Sequence, residues 1–254
     1  MKHFKINKEF IKTLESFLLP LTILALGILI FVIFFSGLVF VPKPAEEAVI
    51  NNNQLLPLAG EGGNQQEAFK NIQAVDPKDN ILGDPNAPIK IVMFSDLQCG
   101  FCKMFLITMK QIVEEYDGKV ALVYRHHPIL SDKEGPSYLA AEATECAREL
   151  GGQNKFWEYL DNFIKARENN REPLRGLFIE LAKETGIDSN KFTSCLESGR
   201  HSSRIDVQSN DAQRAGAMGV PFSVLVLNNE PTSVISGNYP IDEVKRMIDE
   251  ALRQ

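Results

Sequence analysis

The chain has 254 residues, with 27 Lys+Arg, 33 Asp+Glu, 17 Gly, 13 Pro and four Cys. That composition excludes collagen-like chains, largely disordered chains and disulfide-dense miniproteins. A formal net charge of −6 argues against a dedicated nucleic-acid binder, which carries a basic excess.

Residues 1–16 form a basic tail with Lys2, Lys5, Lys8 and Lys12. Phe17 to Val41 then runs for 25 residues without a charge. As a helix this stretch would measure about 37 Å, enough to cross a hydrocarbon core of about 30 Å with some tilt. A cleavable signal peptide would have a shorter apolar region of ~7–15 residues and a small-x-small site after it. Val41-Pro42-Lys43-Pro44-Ala45 lacks that pattern, so 17–41 is predicted to be an uncleaved transmembrane anchor. The excess of Lys before it predicts a cytoplasmic N-terminus, with everything beyond residue 42 outside the cytoplasm. Residues 42–75, rich in Pro, Glu, Asn, Gln and Gly, show neither the strand nor the α-helix period and are predicted to be a flexible linker.

Residues 1–75 hold six Lys and six Glu, so the whole net charge falls on 76–254, a length suited to one domain with a core of its own. Ile89 to Phe94 is a nearly continuous apolar run and predicts a buried strand. Gly100 to Tyr116 follows as an amphipathic helix closed by Asp117-Gly118, and Lys119 to His127 is a second strand stopped by Pro128. A strand, a crossover helix and a strand make a parallel βαβ unit. Helical segments are then predicted over 137–150, 154–167, 173–185, 188–198 and 200–217, with Gly151-Gly152 and Gly186 as breaks and Asp188 as an N-cap. Phe222 to Leu227, a turn at Asn228-Asn229 and Thr232 to Ser236 predict a hairpin. Ile241 to Leu252 is the last helix. The outline is an α/β fold with a large all-helical insertion at about 130–218.

The sharpest chemical signal is Cys99-Gly100-Phe101-Cys102 at the first strand-to-helix junction. Positions i and i+3 share a helix face, so the two sulfurs can close a small ring. The first thiol meets the unpaired N–H groups and dipole of the helix start, which favour thiolate. Cys102, one turn in, is then the resolving thiol. Zinc would need two further ligands at suitable spacing. Cys146 and Cys195 are isolated singles, and His3, His126, His127 and His201 show no ligand pattern. A structural bond across only two residues would close little chain. Redox chemistry is the reading that a Cys-x-x-Cys beside a βαβ unit supports.

Asp84-Pro85-Asn86-Ala87-Pro88, followed by Ile91 to Cys102, resembles the DsbA-like branch of the thioredoxin superfamily. Tyr124-Arg125-His126-His127-Pro128 resembles that family's second strand and turn, and Gly216 to Phe222 resembles the loop that carries its cis-proline. The resemblance spans about 76–254 and implies a thioredoxin-like fold. It implies that Cys99 and Cys102 are catalytic. It makes Pro221 the cis-proline, and it assigns Val220, with Pro221, Gly100 and Phe101, to the binding of extended client chains by strand addition. Some relatives carry a second, non-catalytic bond between insertion helices. Unpaired thiols are a liability in an oxidising compartment, so Cys146–Cys195 is expected to be a structural disulfide rather than two buried thiols. The family often has a buried acid six positions before the first cysteine, where this chain has Met93. It also lacks the histidine that strongly oxidising members place between the cysteines, which predicts a milder oxidant.

The resemblance and the predicted anchor together imply a membrane-anchored thiol-disulfide oxidoreductase with no metal or organic cofactor, and a linker this poor in large apolar residues predicts a monomer. It would act on unfolded or reduced secreted proteins and be reoxidised by a quinone-linked membrane partner. Two alternatives stay open at this point: an isomerase or reductase whose pair is kept reduced, and a client-binding module without turnover. His126-His127 are read as packing and surface groups, Phe156-Trp157 as core, 167–175 as a solvated loop, and Asp96 as a cap.

Overall fold

The structure is a computed structural model that describes residues 65–168 and 173–253. The basic tail 1–16, the anchor 17–41, linker residues 42–64 and the centre of the 167–175 loop lie outside the described residues. Among the described residues no helix is long and apolar enough to cross a membrane.

A 3-10 helix, Gln65–Asn71, leads into β1 (Asn80–Leu82), β2 (Ile89–Ser95), α1 (Gly100–Glu115) and β3 (Val120–His126). The insertion consists of α2 (Pro136–Glu168), α3 (Arg175–Glu184), α4 (Ser189–Ser198) and α5 (Ser202–Arg214). β4 (Phe222–Leu227), β5 (Glu230–Ser236) and α6 (Ile241–Ala251) close the fold. The sheet order is β1-β3-β2-β4-β5. Only the β2–β3 pair is parallel, as a helical crossover requires, and the other three pairs are antiparallel.

β2 and β3 are buried along their whole length because helices cover both faces of the sheet. One face carries Ile89, Ile91, Met93, Leu122, Tyr124 and Leu225 against α1, α6 and the second half of α2. The other carries Val92, Phe94, Val123 and Val224 against α5 and the 3-10 helix. The insertion has its own core, with Tyr159, Phe163, Phe178 and Phe192 around Cys146 and Cys195. Those two cysteines are bonded across α2 and α4 at a sequence separation of 49. Replacing both by serine is expected to lower stability by about 3–4 kcal/mol through the loop that is opened. Urea denaturation of the variant checks this.

Several boundaries differ from the sequence reading. The helices predicted over 137–150 and 154–167 abut without a loop, and the break between them falls at Gly152 as expected, whose φ of 76° is open to glycine at little cost. The linker ends earlier than residue 75. Phe69 in the 3-10 helix, and Ile72 and Val75 in the irregular segment after it, pack against the second sheet face, a mixture that shows neither the strand nor the α-helix period. β1 was not foreseen, since three residues are too few to show alternation. It is held by pairing to β3 and by the Trp157 indole, which donates to the Ile81 carbonyl at 3.0 Å. β5 begins at Glu230 and includes Pro231, which an edge strand tolerates.

Two buried ionic clusters fasten these parts together. Arg125 on β3 donates to Asp79 at 3.0 and 2.7 Å, to Asp211 at 2.8 Å, and to the carbonyls of Gln73 and Ala74 at 2.9 and 3.2 Å. Beside it, Glu145 accepts from Asn80 at 2.8 Å and from Arg204 at 3.0 Å, and lies 3.2 Å from the His126 ring. His126 and His127 are both buried, so the surface role allowed for them is corrected: the strand end they occupy is roofed by α2 and α5.

The acids of α2 give stability a pH signature. Burial raises Glu142 to about 7. Glu145 is lowered to about 2: burial is the largest single influence and opposes this, but His126, Arg204 and Asn80 together outweigh it. A raised carboxyl contributes stability below its unfolded value near 4.5 and loses it as pH rises through 7; a depressed one contributes above 4.5 and loses it as pH falls through 2. Glu142→Gln is therefore expected to stabilise the protein at pH 8 and leave it unchanged at pH 4. Urea midpoints at the two pH values measure this.

Candidate active site

β2 ends at Ser95, and Asp96 turns the chain so that α1 starts directly above the sheet. Asp96 is buried; its carbonyl accepts the Cys99 N–H at 3.0 Å, and its carboxylate accepts the N–H groups of Gln98, Ile129 and Leu130 at 2.8, 2.9 and 2.9 Å. It thus ties the loop after β3 to the loop before α1 and does not cap the helix. Cys99 is itself the N-cap, its sulfur accepting the Cys102 N–H at 3.4 Å.

Cys99 is partly exposed and Cys102 is 2% exposed, and both are free thiols. The Cys99 thiol donates to the Val220 carbonyl at 3.7 Å, and the Val220–Pro221 bond is cis. The structure therefore brings together the β2–α1 junction and the loop before β4, two segments more than 100 residues apart in the chain. Gly100 is exposed and Phe101 is 63% exposed. Met218, 90% exposed on the Val220 loop, lines a separate groove with Phe69, Lys70 and the β5 residues Thr232 to Val234.

Burial pushes the Cys102 thiol strongly up, with the Asp96 backbone and the Ser95 hydroxyl pulling the other way. Cys99 is the thiol within reach of a macromolecule, and Cys102 can be reached only through it. Met93 lies fully buried in the same cluster as Cys102. Among the described residues, the one grouping of metal-ligand type is Cys146, Cys195 and His201, and its two sulfurs are already joined to each other.

A thioredoxin-type sheet carrying a Cys-x-x-Cys pair at the first helix start, with a helical insertion after β3, defines a protein thiol-disulfide oxidoreductase of thioredoxin-like fold. The chain belongs to the thioredoxin family: residues 75–250 match the family model described as Thioredoxin. It is similar to the "Probable disulfide bond formation protein D" of Bacillus anthracis, with 28% identity over 199 residues, 76% of this chain and 83% of that one. It is 29% identical over 148 residues to "Na(+)/H(+) antiporter NhaA 3" of Salinispora tropica, but that match covers 58% of this chain and only 22% of the antiporter. The crystal structure of Pseudomonas aeruginosa DsbA2 superposes with a TM-score of 0.59 at 24% identity, over 69% of this chain and 96% of that one. A likeness at that identity speaks for the fold.

Proposed function

We propose that Cys99 and Cys102 are the redox pair and that the enzyme introduces disulfides into client proteins outside the cytoplasm. The observation that carries this reading is the asymmetry of the pair: one thiol partly exposed at a helix start, the other buried beneath it. A client thiolate attacks Cys99 of the oxidised pair, the Cys99–Cys102 bond breaks, and Cys102 leaves with the electron pair. The client's second thiolate then attacks its own sulfur in the mixed disulfide and displaces Cys99. The client loses two electrons and gains a disulfide, and the pair ends as a dithiol.

Gly100, Phe101, Val220 and Pro221 border Cys99 and form the surface on which an extended client rests, Val220 offering its backbone as a strand edge. Cys146–Cys195 stays outside the cycle and staples the insertion. Residues 17–41 anchor the domain and 42–64 tether it, so that a quinone-linked membrane oxidase can reoxidise the pair. The protein works as a monomer and needs no metal or organic cofactor. The similarity to a probable disulfide bond formation protein of Bacillus anthracis supports the oxidising direction.

Thiol trapping in cells tests this reading. Cys99 and Cys102 are expected to be bonded at steady state, whereas a pair trapped as dithiol would make the protein a reductase or isomerase.

A further inference from the structure

Cys102 must bear negative charge at two moments of the cycle, as leaving group and as attacking thiolate, yet it is 2% exposed beneath α1. An apolar pocket would oppose that charge. Strand register places Tyr124 of β3 and Ser223 of β4 on either side of Met93. All three are fully buried, and the hydroxyls of Tyr124 and Ser223 have no hydrogen-bond partner. Two partnerless hydroxyls flanking one core position call for an explanation, because buried polar groups are nearly always paired. Ser95 follows Met93 by two residues, so it shares that face of the sheet and stands one step nearer the cysteines. Its hydroxyl acts on the Cys102 thiol in the sense that favours thiolate, and on the Tyr124 phenol in the same sense. The Tyr124 ring is fixed by His126, Phe156 and Trp157 at centroid distances of 5.2, 5.8 and 6.2 Å, which leaves its hydroxyl as an unpartnered polar end in an apolar cluster.

We propose that Ser95 donates the hydrogen bond that stabilises the Cys102 thiolate, and that Tyr124 is a positioning residue whose O–H donates to the Ser95 oxygen when Ser95 turns to the sulfur. This rests on the reading of Cys99–Cys102 as the redox pair. The chain Tyr124 O–H, Ser95 O–H, Cys102 S⁻ is neutral up to the sulfur. When the Cys99–Cys102 bond breaks, Cys102 keeps its electron pair, both hydroxyls keep their protons, and the proton that later neutralises the thiolate comes from solvent. Burial strongly disfavours a Tyr124 phenolate, so the phenol serves as a donor and not as an acid. The ionisable groups that face Cys102 are few. Cys99 lies on its own helix, and Asp96 is held by three backbone N–H groups at the end of β2. Tyr124 is on β3, with His126 beyond it against Glu145. α2 and α6 contribute Phe156, Leu160, Val244 and Ile248 to this cluster. The hydroxyl pair thus stabilises the thiolate by hydrogen bonding alone, without moving a proton and without adding a buried charge.

The test uses the reduced protein and dithionitrobenzoate, which Cys99 attacks first and Cys102 resolves second, releasing one thionitrobenzoate in each step. Ser95→Ala is expected to slow the second release about tenfold at pH 7 and to move its pH midpoint up by about one unit. Tyr124→Phe is expected to slow it about threefold, and the double variant to be no slower than Ser95→Ala, since Tyr124 acts through Ser95. Ser95→Thr keeps a hydroxyl and should restore the second step, while the first changes less than about twofold in every variant. Urea midpoints confirm folding, and Tyr124→Phe, which removes one unpartnered atom, suffices if Ser95→Ala is unstable. Wild-type second-step profiles in both single variants would overturn the hydroxyl chain while leaving the redox pair standing. A native protein that releases no second thionitrobenzoate would overturn the pair and the chain together.

Discussion

Cys99→Ala is expected to abolish disulfide exchange, lowering the rate of insulin reduction by at least about 10³-fold, a barrier increase of roughly 4 kcal/mol. No other sulfur can take its place. The whole chain has four cysteines; Cys102 is 2% exposed, and Cys146 and Cys195 are fully buried and bonded to each other. The fold should survive, because Cys99 contributes one long sulfur contact to the helix start, at 3.4 Å, and loss of a cap costs about 1 kcal/mol. Far-UV circular dichroism and a urea titration establish that the variant is folded. Refolding assistance that persists in it would point to client binding without turnover.

Arg125→Met is expected to be the most damaging substitution away from the cysteines. The guanidinium is nearly inaccessible, as are Asp79 and Asp211, and it spends its donors on two carboxylates and two carbonyls. Removing it leaves the buried Asp79 carboxylate without its guanidinium and Asp211 with Arg214, at 3.0 Å, as its remaining cation, a change that costs about 3–5 kcal/mol in comparable buried pairs. The effect should also be local. Arg125 holds the lead segment through Gln73, Ala74 and Asp79, so its loss should free residues 65–79 before the rest of the fold. Trypsin is then expected to cut at Lys70 and Lys78 in the folded variant well before it cuts the parent. Equal cleavage of both proteins would mean that Phe69 and Ile72 hold the segment without the ionic cluster.

The elements carrying strong periodicity were legible in the sequence. Ile89 to Phe94 and Lys119 to His127 read as buried strands because helices cover both faces of the sheet, and uninterrupted apolar runs are the result. Gly152 and Gly186 marked helix ends through their backbone freedom. The proximity of Cys99 to the 216–222 loop came from the resemblance, since no local pattern ties residues more than 100 positions apart. β1 and the 3-10 helix escaped notice because each is specified by tertiary contacts: Trp157 on Ile81 for one, Phe69 and Ile72 on the sheet for the other. Ser95 and Tyr124 escaped for a related reason. A serine closing a strand and a tyrosine inside one are ordinary residues there, and only the register that sets Tyr124 beside Met93 gives them a shared place under Cys102.

The central claim is that Cys99 and Cys102 form a reversible dithiol–disulfide couple. A redox titration in glutathione buffers, with the thiols alkylated and mapped by mass spectrometry, tests it most directly. Two thiols, Cys99 and Cys102 alone, should disappear together as the buffer becomes oxidising. Their midpoint is expected below the roughly −120 mV of the strongest oxidants of this class, because no histidine lies between the cysteines to favour the thiolate. A pair that remains as two thiols across the whole range, or that is lost with glutathione bound at each cysteine separately, would contradict the account.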